Sequence, residues 1–283
     1  MKKDKLHIHW YPGHIAKAER QLKEKLSLVD VVIEVRDARL PLSSSYANIE
    51  KLLGDKPRLL LLNKADLVDK TELKLWIDYL KKVTGCPVII TEAKGNNDLT
   101  KVVNQAVELS EPRIQASMAK GLLRRPARAV VVGMPNVGKS SVINKLTKSS
   151  KTKIGAKAGV TRQQQWVRIN PKLDLLDTPG IIPTRQDDQE QAVKLAFVSS
   201  VSENAYSPEP VAQALLDLLR GKYKETLTAY YKADDLTLES VALSRNWIIK
   251  SESPDTLRTA QYVLKDFREG RLGKFILDEI PTE

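Results

Sequence analysis

Gly133-Met134-Pro135-Asn136-Val137-Gly138-Lys139-Ser140 follows the spacing G-x-x-x-x-G-K-[ST]. The stretch before it, Ala129-Val130-Val131-Val132, is apolar and β-branched, as a buried parallel strand requires. The stretch behind it, Ser140-Ser141-Val142-Ile143-Asn144-Lys145-Leu146, can open a helix directly after the glycines. Strand, glycine turn and helix N-terminus together present a cradle of backbone N–H groups suited to phosphate. Lys139 is expected to reach the β- and γ-phosphates as part of the catalytic apparatus, and Ser140 to ligate Mg²⁺. Asn136, Val137, Gly138 and Ser141 complete the expected cradle.

Two further loops extend this reading. Pro57-Arg58-Leu59-Leu60-Leu61-Leu62 is a second buried-strand run, and it ends in Asn63-Lys64-Ala65-Asp66. A carboxylate at Asp66 can accept hydrogen bonds from the N1–H and the 2-amino group of guanine, a donor pair adenine lacks. Asn63, Lys64 and Asp66 are therefore expected to bind the base of GTP or GDP, and Asp66 argues against an ATPase or kinase. Pro87-Val88-Ile89-Ile90 leads into Thr91-Glu92-Ala93-Lys94-Gly95, which resembles the fifth GTPase motif, with Glu92 in place of the usual Ser. Glu92, Ala93 and Lys94 are placed beside the guanine oxygen.

Leu173-Asp174-Leu175-Leu176 precedes Asp177-Thr178-Pro179-Gly180, the expected γ-phosphate sensor. There Asp177 holds Mg²⁺ through water and the Gly180 N–H meets the γ-phosphate. Gln165-Trp166-Val167-Arg168-Ile169 reads as the hairpin partner, turned by Asn170-Pro171. Between phosphate loop and hairpin, Lys153 to Thr161 is rich in Gly and Ala and suits a mobile switch. Thr161 is its candidate Mg²⁺ and γ-phosphate ligand in the GTP state.

A Ras-like chain places the phosphate loop first and the guanine loop near its end. Here the guanine loop comes first, so the chain reads as a circularly permuted Ras-like P-loop GTPase domain. Strands expected near 29–36, 58–63, 87–91, 129–133, 165–170 and 173–177 give a mixed, mostly parallel α/β sheet in three layers. Helices are expected over 15–28, 71–83 and 98–119. After about residue 190 strand signals cease and periodic helical segments follow, among them Val211–Leu219, Glu225–Tyr231 and Asp255–Arg268. The last is expected to start with Ser253 as N-cap and Pro254 at its first position, and to stop at Gly270. The expected division is a GTPase domain with an N-terminal arm over 1–190 and a small helical domain, a candidate RNA binder, over 191–283.

Composition bounds the same reading. At 283 residues and 42% hydrophobic content the chain can bury one sizeable core and a smaller one. One cysteine, Cys86, rules out an internal disulfide framework and suits a reducing compartment. No apolar stretch reaches membrane-spanning length. The charged N-terminus shows no signal peptide. The chain is read as a bacterial cytoplasmic protein, with a trimmed organellar form also fitting.

The net charge of +11 is concentrated. Thirteen of the 46 Lys and Arg residues, but only two of the 35 acidic ones, lie within 101–162, and the remainder of the chain balances. One nucleotide accounts for Lys139 but not for twelve other cations. Arg124, Arg125 and Arg128 before the phosphate-loop strand, and Lys148, Lys151 and Lys153 after its helix, make the footprint expected for an RNA backbone. A solvated basic face or an acidic protein partner would show the same charge. In the balanced tail, Arg268 and Arg271 lie on a candidate local RNA face.

Permuted motif order, the Gly-x-Pro-Asn-Val-Gly-Lys-Ser loop and the aliphatic Ile181 after the third motif resemble the permuted ribosome-assembly GTPases. Three stretches narrow this to the ribosome biogenesis GTPase A (RbgA, or YlqF) type. They are Trp10-Tyr11-Pro12-Gly13-His14-Ile15-Ala16-Lys17-Ala18, Val35-Arg36-Asp37-Ala38-Arg39-Leu40-Pro41, and Leu264 to Gly273. The resemblance implies GTP hydrolysis coupled to assembly of the large ribosomal subunit, contact with its rRNA, no membrane, and a monomer off the ribosome. It makes His14 a candidate for the catalytic group that Ile181 cannot supply, because a Ras-like chain has a water-orienting Gln there. In potassium-activated relatives the residue matching Asn136 helps hold K⁺ near the phosphates. His7 and His9 read as part of an arm that packs, or touches RNA through Trp10 and Tyr11. A GTP-dependent switch on a protein partner, without RNA, is the competing reading.

Overall fold

The computed structural model describes residues 6, 8, 12–92, 99–148, 152–153, 166–177, 180–181, 188–249 and 252–282. They divide into two compact units, Tyr11–Thr184 with Ile276–Glu283, and Met1–Trp10 with Arg185–Phe275. The division falls a few residues before the boundary expected at 190. It also reassigns both ends of the chain, because each end finds apolar burial in the unit the chain order does not suggest. Ile8 is fully buried, and its N–H donates to Gln189 Oε1 at 3.0 Å within the helical unit. Ile276 joins a cluster around Trp76, Leu73 and Leu80 within the α/β unit.

In the α/β unit, helix α1 (Pro12–Leu26) leads to β1 (Val31–Asp37). There follow α2 (Ile49–Leu53), β2 (Arg58–Asn63), α3 (Lys70–Thr84), β3 (Val88–Thr91), α4 (Thr100–Ala119), β4 (Ala127–Gly133) and α5 (Lys139–Lys148). The short β5 (Thr152–Lys153), then β6 (Trp166–Asn170), β7 (Leu173–Leu176) and β8 (Gly180–Ile181) complete it. The sheet runs β3-β2-β1-β4-β7-β6-β5, and β8 pairs with β4. All pairings from β3 to β7 are parallel, while β6 is antiparallel to both β7 and β5. Asn170 Oδ1 accepts from Lys172 N–H at 2.8 Å and closes the β6–β7 hairpin at the expected Asn-Pro turn.

The unbroken leucine run of β2 reflects a strand covered on both faces. Leu59, Leu60, Leu61 and Leu62 are each fully buried, worth about 1.5–3 kcal/mol apiece against exposure. Leu22 and Leu26 of α1 pack with Tyr46, Ile49 and Leu53 on Val32, Val130 and Val132. Helix α3 is capped by Asp69, whose carboxylate accepts from Thr71 and Glu72 N–H, and it stops at the left-handed Gly85. The five-residue α2 and the two-residue strands β5 and β8 carry too few residues for a periodic signal.

The helical unit contains α6 (Gln189–Phe197), α7 (Pro208–Tyr231), α8 (Leu238–Ser244) and α9 (Thr256–Arg268). The two segments expected over 211–231 are one helix, bent at Tyr223 (φ −131°, ψ 26°). The start expected at Ser253-Pro254 is displaced to Asp255, whose carboxylate accepts from Arg258 N–H at 3.0 Å. Ser253 O instead accepts from Ile249 N–H, and Pro254 bridges to Ile248, so both residues belong to the turn before the helix. Gly270, at φ 75°, ends α9 as expected. Among the described residues no helix is long and apolar enough to cross a membrane.

Candidate functional site

Strands β2, β1 and β4 are neighbours, and their C-terminal ends carry Asn63, Asp37 and Gly133. Loops at this edge of a parallel sheet form the usual ligand crevice of open α/β folds. The register sets Asp37 beside Asn63 and Asn63 beside Thr91. It also sets Gly180 beside Val132 and Ile181 beside Gly133. Loops far apart in sequence, those after β2, β4 and β7, thus converge on one edge, and the chain order of the motifs does not matter to their meeting.

Two side chains tie the guanine loop to the phosphate loop. Asn63 Nδ2 donates to Val137 O at 2.8 Å, while its Oδ1 accepts from Thr91 Oγ1 at 3.2 Å. Lys64, in a left-handed conformation (φ 62°), donates from Nζ to Asn136 O at 2.8 Å and to Asp37 Oδ2 at 2.7 Å. The phosphate loop is close-fitted around these contacts. A Cβ on Gly133 would lie 2.5 Å from Val35 O, and one on Gly138 (φ 101°) 2.1 Å from Asn63 Nδ2. Glycine is required at both positions.

Lys139 is 8% exposed and donates to Met134 O at 2.7 Å. Burial of its ammonium pushes its pKa down to about 8. Phosphate oxygens favour the charged form, so a nucleotide seated on Lys139 would require the proton there. Below pH 8 the proton is already there; above pH 8 binding must take one up. GDP affinity measured by titration calorimetry should therefore fall about tenfold from pH 7 to pH 9. Lys139→Met should lack this step, and a parent protein with flat affinity over that range would refute the assignment.

Ser140 and Ser141 are exposed at the start of α5, and Asp66 is exposed in the 3₁₀ turn Ala65–Leu67. Glu92 O accepts from Lys145 Nζ at 3.3 Å, which links the loop after β3 to α5. Asp177 is exposed directly after β7. A hydroxyl at Ser140, in the first turn of α5, and a carboxylate at Asp177, directly after β7, are hard oxygen donors, a donor chemistry that fits Mg²⁺. Asn136 is exposed with φ 59°. Ala93, Lys94, Lys151 and Thr161 lie outside the described residues, as do His7, His9, Trp10 and Tyr11. His14 falls in the first turn of α1, Lys148 ends α5 and Lys153 ends β5, but their side chains lie outside those described. Helix α1 packs against β8.

Several of the expected RNA-contacting arginines are engaged within the chain. Arg125 makes a two-pronged pair with Asp30 (2.7 and 2.9 Å), and Asp30 also accepts from Arg128 N–H. Arg128 stacks on the Trp166 ring at 5.1 Å. Arg268 is turned inward: it donates to Phe197 O and Ala196 O, the end carbonyls of α6, and to Tyr206 Oη. That is a helix-capping role. Arg271 pairs with Asp266 and Glu269. Arg124 is exposed and paired with half-buried Glu111, a surface ion pair of little energetic weight.

Reading the sequence missed a charged network inside β1. Glu34 is fully buried and receives Arg36, Arg58 and Ser45. Asp37 receives Arg39 Nε at 3.0 Å and Nη2 at 2.8 Å, beside Lys64. Burial opposes ionisation of Asp37, but Arg39 and Lys64 hold its carboxyl well below the usual range. The available signal was charge in an apolar setting: Glu34, Arg36, Asp37 and Arg39 interrupt an otherwise apolar run.

A phosphate loop, a guanine loop and a γ-sensor strand meeting at one sheet edge in this chain order define a circularly permuted P-loop GTPase. Comparison with known proteins narrows the class. The family model described as 50S ribosome-binding GTPase matches residues 128–239. Ribosome biogenesis GTPase A of Bacillus cereus is 38% identical over 282 residues, covering 98% of this chain and 95% of that protein. Its counterpart in Priestia megaterium is 36% identical, covering 98% of both chains. The crystal structure of GNP-bound YlqF from T. maritima superposes with a TM-score of 0.67 at 26% identity, covering 93% of this chain and 98% of that one. The chain belongs to the ribosome biogenesis GTPase A family, and it is an enzyme that binds and hydrolyses GTP.

Proposed function

We propose that this GTPase is an assembly factor for the large ribosomal subunit and contacts its rRNA in a nucleotide-dependent way. The observation that carries this reading is the location of the charge. The whole +11 excess lies in 101–162, the stretch that contains the phosphate loop. Names of the relatives and the 50S description of the family model favour the same partner. Arg124, Arg128, Lys148, Lys151 and Lys153 are the RNA contacts of the α/β unit in this reading and Arg271 that of the helical unit, while Arg125 supports the fold through Asp30. The protein works as a monomer off the ribosome, in the cytoplasm.

The test is co-sedimentation with purified large subunits in a GTP analogue, in GDP and without nucleotide, at two salt concentrations. Binding should be strongest with the analogue and should fall steeply with salt, about a decade or more between 50 and 200 mM for several phosphate contacts. Arg124→Glu combined with Lys148→Glu should flatten that slope and leave GDP affinity intact. Salt-insensitive binding would favour a protein partner, and equal binding in all nucleotide states would remove the switch.

Within the site, Asp66 selects guanine, and Glu92, Ala93 and Lys94 contact the base through their backbone. Asn63, Lys64, Asn136, Val137, Gly138, Lys139, Ser140, Ser141 and Gly180 surround the nucleotide. Ser140, Thr161 and Asp177 hold Mg²⁺, and His14 supplies the catalytic polar group. Asn136 places K⁺ beside the phosphates, where a cation can supply the charge an arginine finger otherwise brings. Hydrolysis should be faster in K⁺ than in Na⁺, and Asn136→Ala should abolish the difference. Equal initial rates in the two salts with the parent protein would reduce Asn136 to a turn residue.

A further inference from the structure

Asp37 ends β1, the strand between the one that ends in the guanine loop and the one that ends in the phosphate loop. Its carboxylate is completely buried, and Arg39 binds it through two nitrogens while Lys64 Nζ sits 2.7 Å away. The same ammonium reaches Asn136 O in the phosphate loop. Lys64 therefore has a fixed anionic anchor on one side and a phosphate-loop carbonyl on the other. A long, rotamer-rich side chain whose ammonium is held by two acceptors in this way is ordered before any ligand arrives.

The loop that carries Arg39 is in turn held by the end of the chain. Leu277 N–H donates to Arg39 O at 2.9 Å. Asp278 accepts from Leu42 N–H at 2.8 Å, from Ser43 N–H at 2.9 Å and from Ser43 Oγ at 2.6 Å. Ile276 anchors the segment in the Trp76 cluster. Leu277 and Asp278 are each 6% exposed, so this tail is a built part of the α/β unit.

We propose that Asp37 is the positioning residue that presents Lys64 to the nucleotide, and that the tail Ile276–Asp278 straps the Asp37–Ser44 loop in place. The proposal rests on the reading of Lys64 as a nucleotide-binding residue. Asp37 touches neither base nor phosphate; it acts through Lys64. The carboxyl terminus of the chain is then a structural element of nucleotide retention, although sequence order places it behind the helical unit.

The experiment is a double-mutant cycle on the full chain, read as the release rate of a fluorescent GDP analogue, with thermal unfolding recorded for each variant. Asp37→Asn in the parent should speed release at least tenfold, and in Lys64→Met less than twofold. An equal factor in both backgrounds, or no effect in the parent, overturns the proposal even where Lys64→Met speeds release. A Lys64→Met protein that releases GDP like the parent overturns it at its root, because the reading of Lys64 has then failed. If Asp37→Asn does not fold, Asp278→Ala takes its place in the same cycle, with several-fold faster release expected in the parent and none added in Lys64→Met. Unchanged release by Asp278→Ala in the parent removes the strap.

Discussion

Gly138→Ala is expected to leave the protein folded and to lower GDP affinity by about thirtyfold to more than a thousandfold. Gly138 has φ 101°, and a Cβ there would stand 2.1 Å from Asn63 Nδ2. An L side chain in this region costs about 1–3 kcal/mol in strain. Displacing Asn63 also loses its buried hydrogen bond to Val137 O, about 1–3 kcal/mol more. In the free protein the phosphate loop can relieve both by moving off Asn63, so the cost falls on nucleotide binding. Equilibrium binding of labelled GDP, with the melting temperature as control, decides it. An unchanged Kd with an unchanged melting temperature would show that the Asn63–Val137 contact does not shape the cradle.

Large subunits are expected to stimulate hydrolysis, and His14→Ala to keep GTP binding and subunit binding while losing most of that stimulation, by a factor of about 10²–10⁴. The strand register sets Ile181 beside Gly133, where an aliphatic side chain cannot orient water. Helix α1, whose first turn contains His14, packs against β8, the strand that carries Ile181. Orientation and acid–base roles are felt in the transition state, so kcat should fall with little change in KM. Single-turnover hydrolysis with and without subunits measures it. A variant stimulated as strongly as the parent would leave His14 a structural or RNA-contacting residue.

Much of this was legible in the sequence because the relevant signals are local. A β-branched run before G-x-x-x-x-G-K-S, a leucine run before Asn63-Lys64-Ala65-Asp66 and a hairpin turned by Asn170-Pro171 each specify their own few residues. The central strands and the stop of α9 at Gly270 followed. Less legible were elements that depend on distant partners. Strand β8 exists because Gly180 and Ile181 align with Val132 and Gly133. Ser253 looks like a helix cap until Pro254 is drawn into its bridge with Ile248 and Asp255 takes the role. Arg125 and Arg268 look like solvent-facing cations until Asp30 and the end of α6 are placed beside them.

By itself the sequence determined the class of chemistry, since Lys139, Ser140, Asp66 and Asp177 sit in motifs whose backbone geometry follows from a handful of adjacent residues. It determined the permutation too, because motif order is a property of the chain alone. Only the tertiary structure decided which residues support those motifs. Glu34 and Asp37 read as odd charges in an apolar strand, and neither carries a label for its partner. Burying a carboxylate is tolerable only when cations and hydrogen-bond donors surround it, and here they come from Arg36, Arg39, Arg58 and Lys64. Likewise Asp278 is one acidic residue in a short tail until the fold brings it to the N–H groups of Leu42 and Ser43. Pairing across more than 200 residues depends on chain path and desolvation together, and neither is written in the local sequence.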